Sequence, residues 1–259
     1  MDFKIIHLNS VDSTNTYLDN LAKKGYPHGT VVVADTQTAG RGRFRRQWFS
    51  PPGRNIYMSI LVRPERTKRE LSDFSVLPML AGIACAKAIR SVTGLSVGLK
   101  WPNDILLEEK KLGGILVESR IEHPSTASSN TGLTASFIIG IGINVNMKRE
   151  DLPEDIKDIA ISLFMVTGRE FLREVLIEGI IREFFRLYEE FIAQGKGYII
   201  SEWQSMSSTI GRRVRCLLPD GREVKGNAIA VYENGYLLVE RDGGVIEIIK
   251  AGDVFHYSS

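Results

Sequence analysis

Residues 40–48 read Gly-Arg-Gly-Arg-Phe-Arg-Arg-Gln-Trp, and this stretch constrains the fold more than any other. It interrupts two strand-like apolar segments, Thr30–Ala34 and Ile56–Val62. The run is therefore an ordered loop between strands rather than a basic tail. Gly40 and Gly42 allow backbone conformations closed to other residues and a close approach to a ligand. Successive N–H groups in such a turn can form an anion-binding nest. Arg41, Arg43, Arg45 and Arg46 add forked donors that match phosphate or carboxylate, and Trp48 adds a flat face. The combination favours a small phosphate-bearing ligand over RNA.

Charge supports that choice. The 33 basic and 31 acidic residues leave +2, which excludes a surface built throughout for nucleic acid. Basic character is local, at residues 41–46 and 63–69. Cys85 and Cys216 both sit in apolar runs and read as buried small hydrophobes. His7, His28, His123 and His256 are too dispersed to suggest a triad or a zinc site. The N-terminus carries no signal-peptide core, and no apolar run reaches membrane-spanning length. We expect a cytoplasmic protein with no membrane partner.

Periodicity predicts an α+β chain. Phe3–Leu8 alternates like a strand, and Ser13 or Thr14 caps a helix running to about Lys24. A helix over Leu71–Val92 ends at Gly94, and strands follow at Val97–Lys100, Asp104–Leu107, Leu112–Ser119 and Ala135–Val145. Residues 123–132 read as a hairpin loop. Thr167-x-x-Glu170 reads as a capping box opening a helix to Ala193, with a core stripe of Leu172, Leu176, Ile180, Phe184, Tyr188 and Phe191. After Met206 the character changes. Turn signals at Pro219-Asp220-Gly221, Glu233-Asn234-Gly235 and Arg241-Asp242-Gly243-Gly244 predict a small β-barrel. The expected domains are 1–206 and 207–259.

Three further motifs carry chemistry. Lys100-Trp101-Pro102-Asn103-Asp104 ends with an Asn–Asp pair suited to a hydrated Mg²⁺, although Pro-Asn-Asp is also turn-prone. Lys111-Leu112-Gly113-Gly114 offers a point charge beside bare backbone, or else a surface hairpin. Gly140-Ile141-Gly142-Ile143-Asn144-Val145-Asn146 places glycines inside a strand, where something approaches closely. Asn144 and Asn146 share one face, and a solvated edge is the plain alternative for them.

In order, Ser13-Thr14-Asn15, Gln37 with Gly40–Trp48, Lys100–Asp104, Lys111–Leu116 and Gly140–Asn146 resemble the catalytic core of the biotin–protein ligase family. The resemblance spans residues 3–194, and the C-terminal segment is similar to that family's SH3-like barrel. It implies a mixed-sheet core packed with helices. It also implies ATP-dependent activation of biotin to biotinyl-5′-adenylate, then transfer to a lysine of a biotin carboxyl carrier protein.

Carried over residue by residue, the resemblance assigns biotin to Ser13, Thr14, Asn15, Gln37, Arg41, Gly42, Arg43, Lys111, Gly113 and Gly114. It assigns ATP to Arg43, Arg46, Trp48, Lys100, Asn103, Asp104, Lys111 and Asn144. Arg43, Lys111 and Asp104 are the expected catalytic residues, with Asp104 also near Mg²⁺. The resemblance makes a homodimer an expectation. Because the chain starts directly at the core, no operator DNA binding is expected. Two alternatives stand beside this reading: a lipoate–protein ligase of the same fold, and a nucleic-acid-binding module using the arginine loop.

Overall fold

The computed structural model describes residues 3–64, 69–122 and 134–257. The hairpin expected at 123–132 lies outside them. In chain order the elements are β1 (Lys4–Leu8), α1 (Thr14–Lys23), β2 (Thr30–Ala34), β3 (Ile56–Val62), α2 (Leu77–Thr93), β4 (Gly98–Lys100), β5 (Asp104–Leu107), β6 (Lys110–Glu122) and β7 (Thr134–Ile143). Then come α3 (Leu163–Thr167), α4 (Arg173–Gln194), α5 (Lys196–Ser205), β8 (Arg213–Leu217), β9 (Glu223–Val231), β10 (Leu237–Glu240), β11 (Ile246–Ile249) and β12 (Asp253–His256). They group into two compact units, Met1–Lys68 with Lys110–Ile177, and Arg69–Glu109 with Glu178–Ser259. The class is α+β, as expected.

In the first unit the strands run in the order β1-β2-β3-β7-β6. β1 is parallel to β2, and the other pairs are antiparallel, so the sheet is mixed. β2 and β3 are buried along their whole length, which suits their continuous Val/Ile/Leu runs. One face of this sheet receives α1. Leu18, Leu21 and Ala22 pack with Val32, Leu61 and Ile138 into a closed cluster. Each leucine buried there contributes roughly 2 kcal/mol by removing apolar surface from water. Arg120 on β6 pairs with Asp19 of α1 through two 3.0 Å hydrogen bonds.

In the second unit, residues expected to form one helix from Leu71 divide into a 3-10 turn, Leu71–Val76, and α2. Pro78 in the first turn of α2 explains the division, since it lacks the N–H that a continuous helix would use. Gly94 ends α2 in the left-handed region at φ 77. The combined Leu71–Thr93 stretch is, after all, long and apolar enough to cross a membrane, and 72% of its most apolar window is buried. A helix packed on all sides in a protein core has the same composition.

The capping box at Thr167 does not form. Thr167 is the last residue of α3, and its hydroxyl turns back to the Leu163 carbonyl at 2.8 Å. Gly168, at φ 70, stops that helix, and α4 starts only at Arg173. Leu172 therefore lies outside the helix and is 72% exposed, while the rest of the stripe is buried. α5 has no counterpart in the sequence reading. The C-terminal strands form an antiparallel sheet in the order β11-β10-β9-β8-β12. Asn234 and Gly235, at φ 68 and 77, make the tight turn from β9 to β10. The expected boundary at 206/207 falls between α5 and β8.

Candidate functional site

The sheet register of the first unit builds a floor without side chains. Gly114 on β6 pairs with Gly142 on β7, and Leu116 pairs with Gly140. Gly140 in turn pairs with Ser59 on β3. Two bulky groups lie on the glycines. A Cβ on Gly142 would stand 2.6 Å from Trp48 Cε2, and one on Gly140 would stand 2.3 Å from Asn15 Oδ1. The close approach expected for these glycines is thus by the protein's own Trp48 and Asn15. The same face that seats α1 at one end is stripped of side chains at the other.

A chain of hydrogen bonds crosses this face. Gln37 Oε1 accepts from the Thr14 backbone N–H at 2.9 Å, and the Thr14 hydroxyl lies 3.2 Å away. The buried Ser59 hydroxyl lies 2.8 Å from Thr14 Oγ1 and 2.6 Å from Asn15 Oδ1. Asn15 Nδ2 donates to the Leu116 carbonyl at 3.3 Å and to Glu118 Oε2 at 2.8 Å. Arg41 Nη2 donates to the same Glu118 oxygen at 2.8 Å. On the other side Gln37 Nε2 donates to Ser50, whose hydroxyl donates to the Trp48 carbonyl at 3.0 Å. The chain ties both ends of the arginine loop to Thr14 and Asn15. Ser13, Thr14 and Asn15 are each 4% exposed. Ser13 occupies the N-cap of α1 without a side-chain capping bond.

The loop closes on itself. The Trp48 N–H donates to the Gly40 carbonyl at 2.9 Å, and the Gly42 N–H donates to the Arg46 carbonyl at 2.7 Å. Neither Gly40 nor Gly42 has positive φ; the left-handed residues are Phe44 and Arg45, at φ 53 and 60. The expectation that the glycines supply unusual dihedrals is therefore corrected. Gly40 is needed for space, since a Cβ there would lie 2.6 Å from the Trp48 carbonyl oxygen. Arg43 and Arg46 flank the exposed Phe44 ring, 4.7 and 5.9 Å from its centroid. Beneath the loop, with Leu116 and Glu118 in its wall, opens a cavity of about 550 Å³.

Lys111 sits at the start of β6 with its ammonium 5.6 Å from the Trp48 ring centroid. Residues 159–161 pin its backbone. The Lys111 N–H donates to Ile159 at 2.7 Å, and its carbonyl accepts from Ile161 at 3.0 Å. Asn144 is buried, donating to the Ile161 carbonyl at 3.1 Å. Asn146 exchanges two 2.9 Å hydrogen bonds with the Phe171 backbone. Neither asparagine is on a solvated edge. The Trp48 indole N–H is buried without a hydrogen-bond partner, a donor that a ligand acceptor would satisfy.

Lys100, Asn103 and Asp104 lie on the β4–β5 hairpin of the second unit, where Lys100 pairs with Asp104 across the turn. The Trp101–Pro102 bond between them is cis. Within that unit the Trp101 N–H donates to Thr209 Oγ1 at 3.0 Å, and its indole donates to the Gly235 carbonyl at 2.9 Å. No group of three or more His, Cys, Asp or Glu suited to a metal occurs among the described residues.

The structure thus brings together Thr14, Asn15, Gln37, Arg41, Trp48, Lys111, Gly114, Gly140 and Gly142 in one unit, with Ser50, Ser59 and Glu118 as members that sequence reasoning missed. Ser59 and Glu118 each sit alone in a strand and carry no local signal. Only the register reveals them.

These features match a known class. The Biotin/lipoate A/B protein ligase family matches residues 8–144, and the chain belongs to that family. Within it the likeness is to the biotin protein ligases, whose C-terminal domain matches residues 209–257. The bifunctional ligase/repressor BirA of Bacillus subtilis (strain 168) is 36% identical over 247 residues, covering 95% of this chain and 72% of that protein. A biotin–(acetyl-CoA-carboxylase) ligase of Mycobacterium tuberculosis is 31% identical over 251 residues, covering 94% and 85%. The biotin protein ligase from Aquifex aeolicus, solved with biotin and ATP, superposes with a TM-score of 0.78 at 30% identity, covering 99% of each chain.

Proposed function

We propose that this protein joins biotin to ATP as biotinyl-5′-adenylate, releasing pyrophosphate, and passes the biotinyl group to one lysine of a biotin carboxyl carrier domain. The observation that carries the reading is the hydrogen-bond chain from Gln37 through Thr14, Ser59 and Asn15 to Glu118, laid over a glycine floor beneath an arginine loop. Ordered donors and acceptors seated on glycine-bearing strands suit a flat, polar ring such as biotin's ureido group. The Biotin protein ligase C terminal domain match favours biotin over lipoate.

In the first step the biotin carboxylate oxygen attacks the α-phosphorus, and the bond from phosphorus to pyrophosphate breaks. Two anions must meet. Arg43, Arg46 and Lys111 would neutralise their repulsion and the charge that develops. The carboxylate of the substrate is the nucleophile, so in-line placement supplies the remaining rate. In the second step the acceptor lysine nitrogen attacks the acyl carbon and AMP departs. Asp104 is assigned to ease the loss of the lysine proton. Asp104 and Asn103 would hold a Mg²⁺ ion accompanying the nucleotide, since a lone carboxylate suits an ion that keeps most of its waters. When bound it supplies charge neutralisation at the phosphates. A homodimer is proposed on the family resemblance alone, and sedimentation analysis decides it.

The test is mass spectrometry of a biotin-acceptor domain incubated with the protein, biotin and Mg-ATP. One added biotin on one lysine is expected. An unmodified acceptor, or preference for lipoate in competition, would overturn the reading.

A further inference from the structure

We infer that Glu118 is a positioning residue for the biotin site: its carboxylate sets which way the Asn15 amide faces and tethers the first arginine of the loop. The inference rests on the reading that the cavity takes biotin. Glu118 Oε2 accepts from Asn15 Nδ2 and from Arg41 Nη2, each at 2.8 Å. Glu118 and Leu116 also line the cavity under the loop.

The amide orientation follows from the partners. Asn15 Nδ2 faces two acceptors, the Leu116 carbonyl at 3.3 Å and the Glu118 carboxylate. A flipped amide would aim Oδ1 at both and lose both bonds. Ser59 has one hydroxyl proton, and it lies 2.6 Å from Asn15 Oδ1 and 2.8 Å from Thr14 Oγ1. With the Asn15 oxygen held inward, it and Thr14 Oγ1 are the two acceptors within reach of that proton. Without Glu118 the amide loses its charged acceptor, and the flipped form competes. A site whose polarity is reversed at one atom discriminates poorly against ligands of the wrong pattern. Arg41 is held on the same oxygen, so its role is to anchor the loop, whereas Arg43 and Arg46 lie further along it beside Phe44.

The Arg41–Glu118 pair is about two-fifths exposed, with side-chain values of 43% and 37%. Pairs this wet add little to fold stability, so losing it should shift the thermal midpoint by less than about 2 °C. The effect belongs in substrate affinity. In pyrophosphate-release kinetics, Glu118→Ala should raise the KM for biotin about tenfold while the KM for ATP stays within about twofold. Glu118→Gln keeps an acceptor oxygen and should return the biotin KM to within about threefold of wild type. An unchanged biotin KM in Glu118→Ala, a parallel rise in both KM values, or no rescue by glutamine would overturn the assignment. A second arm needs no turnover. Trypsin without substrates should cut within Arg41–Arg46 several-fold faster in Glu118→Ala, and equal rates would refute the tether. If wild type releases no pyrophosphate with biotin, the proposed function fails, and the trypsin arm still judges Glu118.

Discussion

Gly140 and Gly142 are two residues apart on one strand, yet they answer to different neighbours. An alanine Cβ at 140 would stand 2.3 Å from Asn15 Oδ1, while one at 142 would meet the Trp48 indole at 2.6 Å. Asn15 is also gripped by Ser59 and Glu118, so it cannot retreat without losing hydrogen bonds. Gly140→Ala should therefore raise the biotin KM by at least about tenfold, the cost of one or more buried hydrogen bonds. Gly142→Ala should act mainly on the ATP KM, through the displaced indole. Steady-state kinetics with each substrate varied separates the two, and equal effects on both constants would refute the division. Arg43→Ala should slow adenylate formation by about a hundredfold, the usual scale for removing a donor to developing charge. Its guanidinium packs against the exposed Phe44 ring, so the thermal midpoint should barely move. Much of this site could be read from sequence because its glycines and arginines cluster in short runs. Glu118 could not. In Val117-Glu118-Ser119-Arg120 it reads as an ordinary solvent-facing strand position, and only the pairing of Leu116 with Gly140 brings it beside Asn15.

Among the elements, α1 links stability to the site. Its inner face closes the cluster with Val32, Leu61 and Ile138, and its first turn carries Thr14 and Asn15. Leu18 is fully buried there, so Leu18→Ala should cost about 2–5 kcal/mol, transfer and cavity terms together. Urea unfolding measures it, and a loss below about 1 kcal/mol would mean that α1 is loosely docked. The cap signal at Ser13 or Thr14 made this helix legible in the sequence, although Ser13 makes no side-chain capping bond. The Thr167–Glu170 motif misled because a capping box and a left-handed helix stop use overlapping residue types. Gly168 decided the outcome, ending α3 where the motif suggested a beginning. The short α5 was missed for a different reason: Gly195 is its N-cap and Gly197 lies in its first turn, and both break helical pattern.

At the scale of the whole molecule, one histidine makes stability respond to mild acid. His256, on the last strand, lies 3.2 Å from Thr209 Oγ1 and 3.8 Å from Glu109, which is itself paired bidentately with Arg212. Burial pushes its pKa down from 6.5 to about 4; the positive charges of Lys100 and Arg212 add to this, and Glu109 opposes it. Above pH 6.5 the imidazole is neutral whether the chain is folded or not, so it costs nothing. Between pH 6.5 and about 4 the unfolded chain takes up a proton that the folded one refuses, and stability falls. Below about pH 4 both states are protonated and the loss is complete, at most about 3 kcal/mol. Glu109, held below the usual range first by its hydrogen bond to Arg212, removes stability only at lower pH, as it protonates. His256→Gln cannot titrate. The stability advantage of wild type over this variant should therefore shrink steadily from pH 7 to pH 4.5, measured as urea-unfolding free energies at fixed ionic strength. A difference constant across that range would show that the ring is hydrated and titrates normally. Thr209 also accepts the Trp101 N–H, so the acid-sensitive contact and the Lys100–Asp104 hairpin share one hydroxyl within the second unit. Loosening at His256 should then be felt as faster hydrogen exchange at the Trp101 amide as the pH falls, after correction for the intrinsic rate.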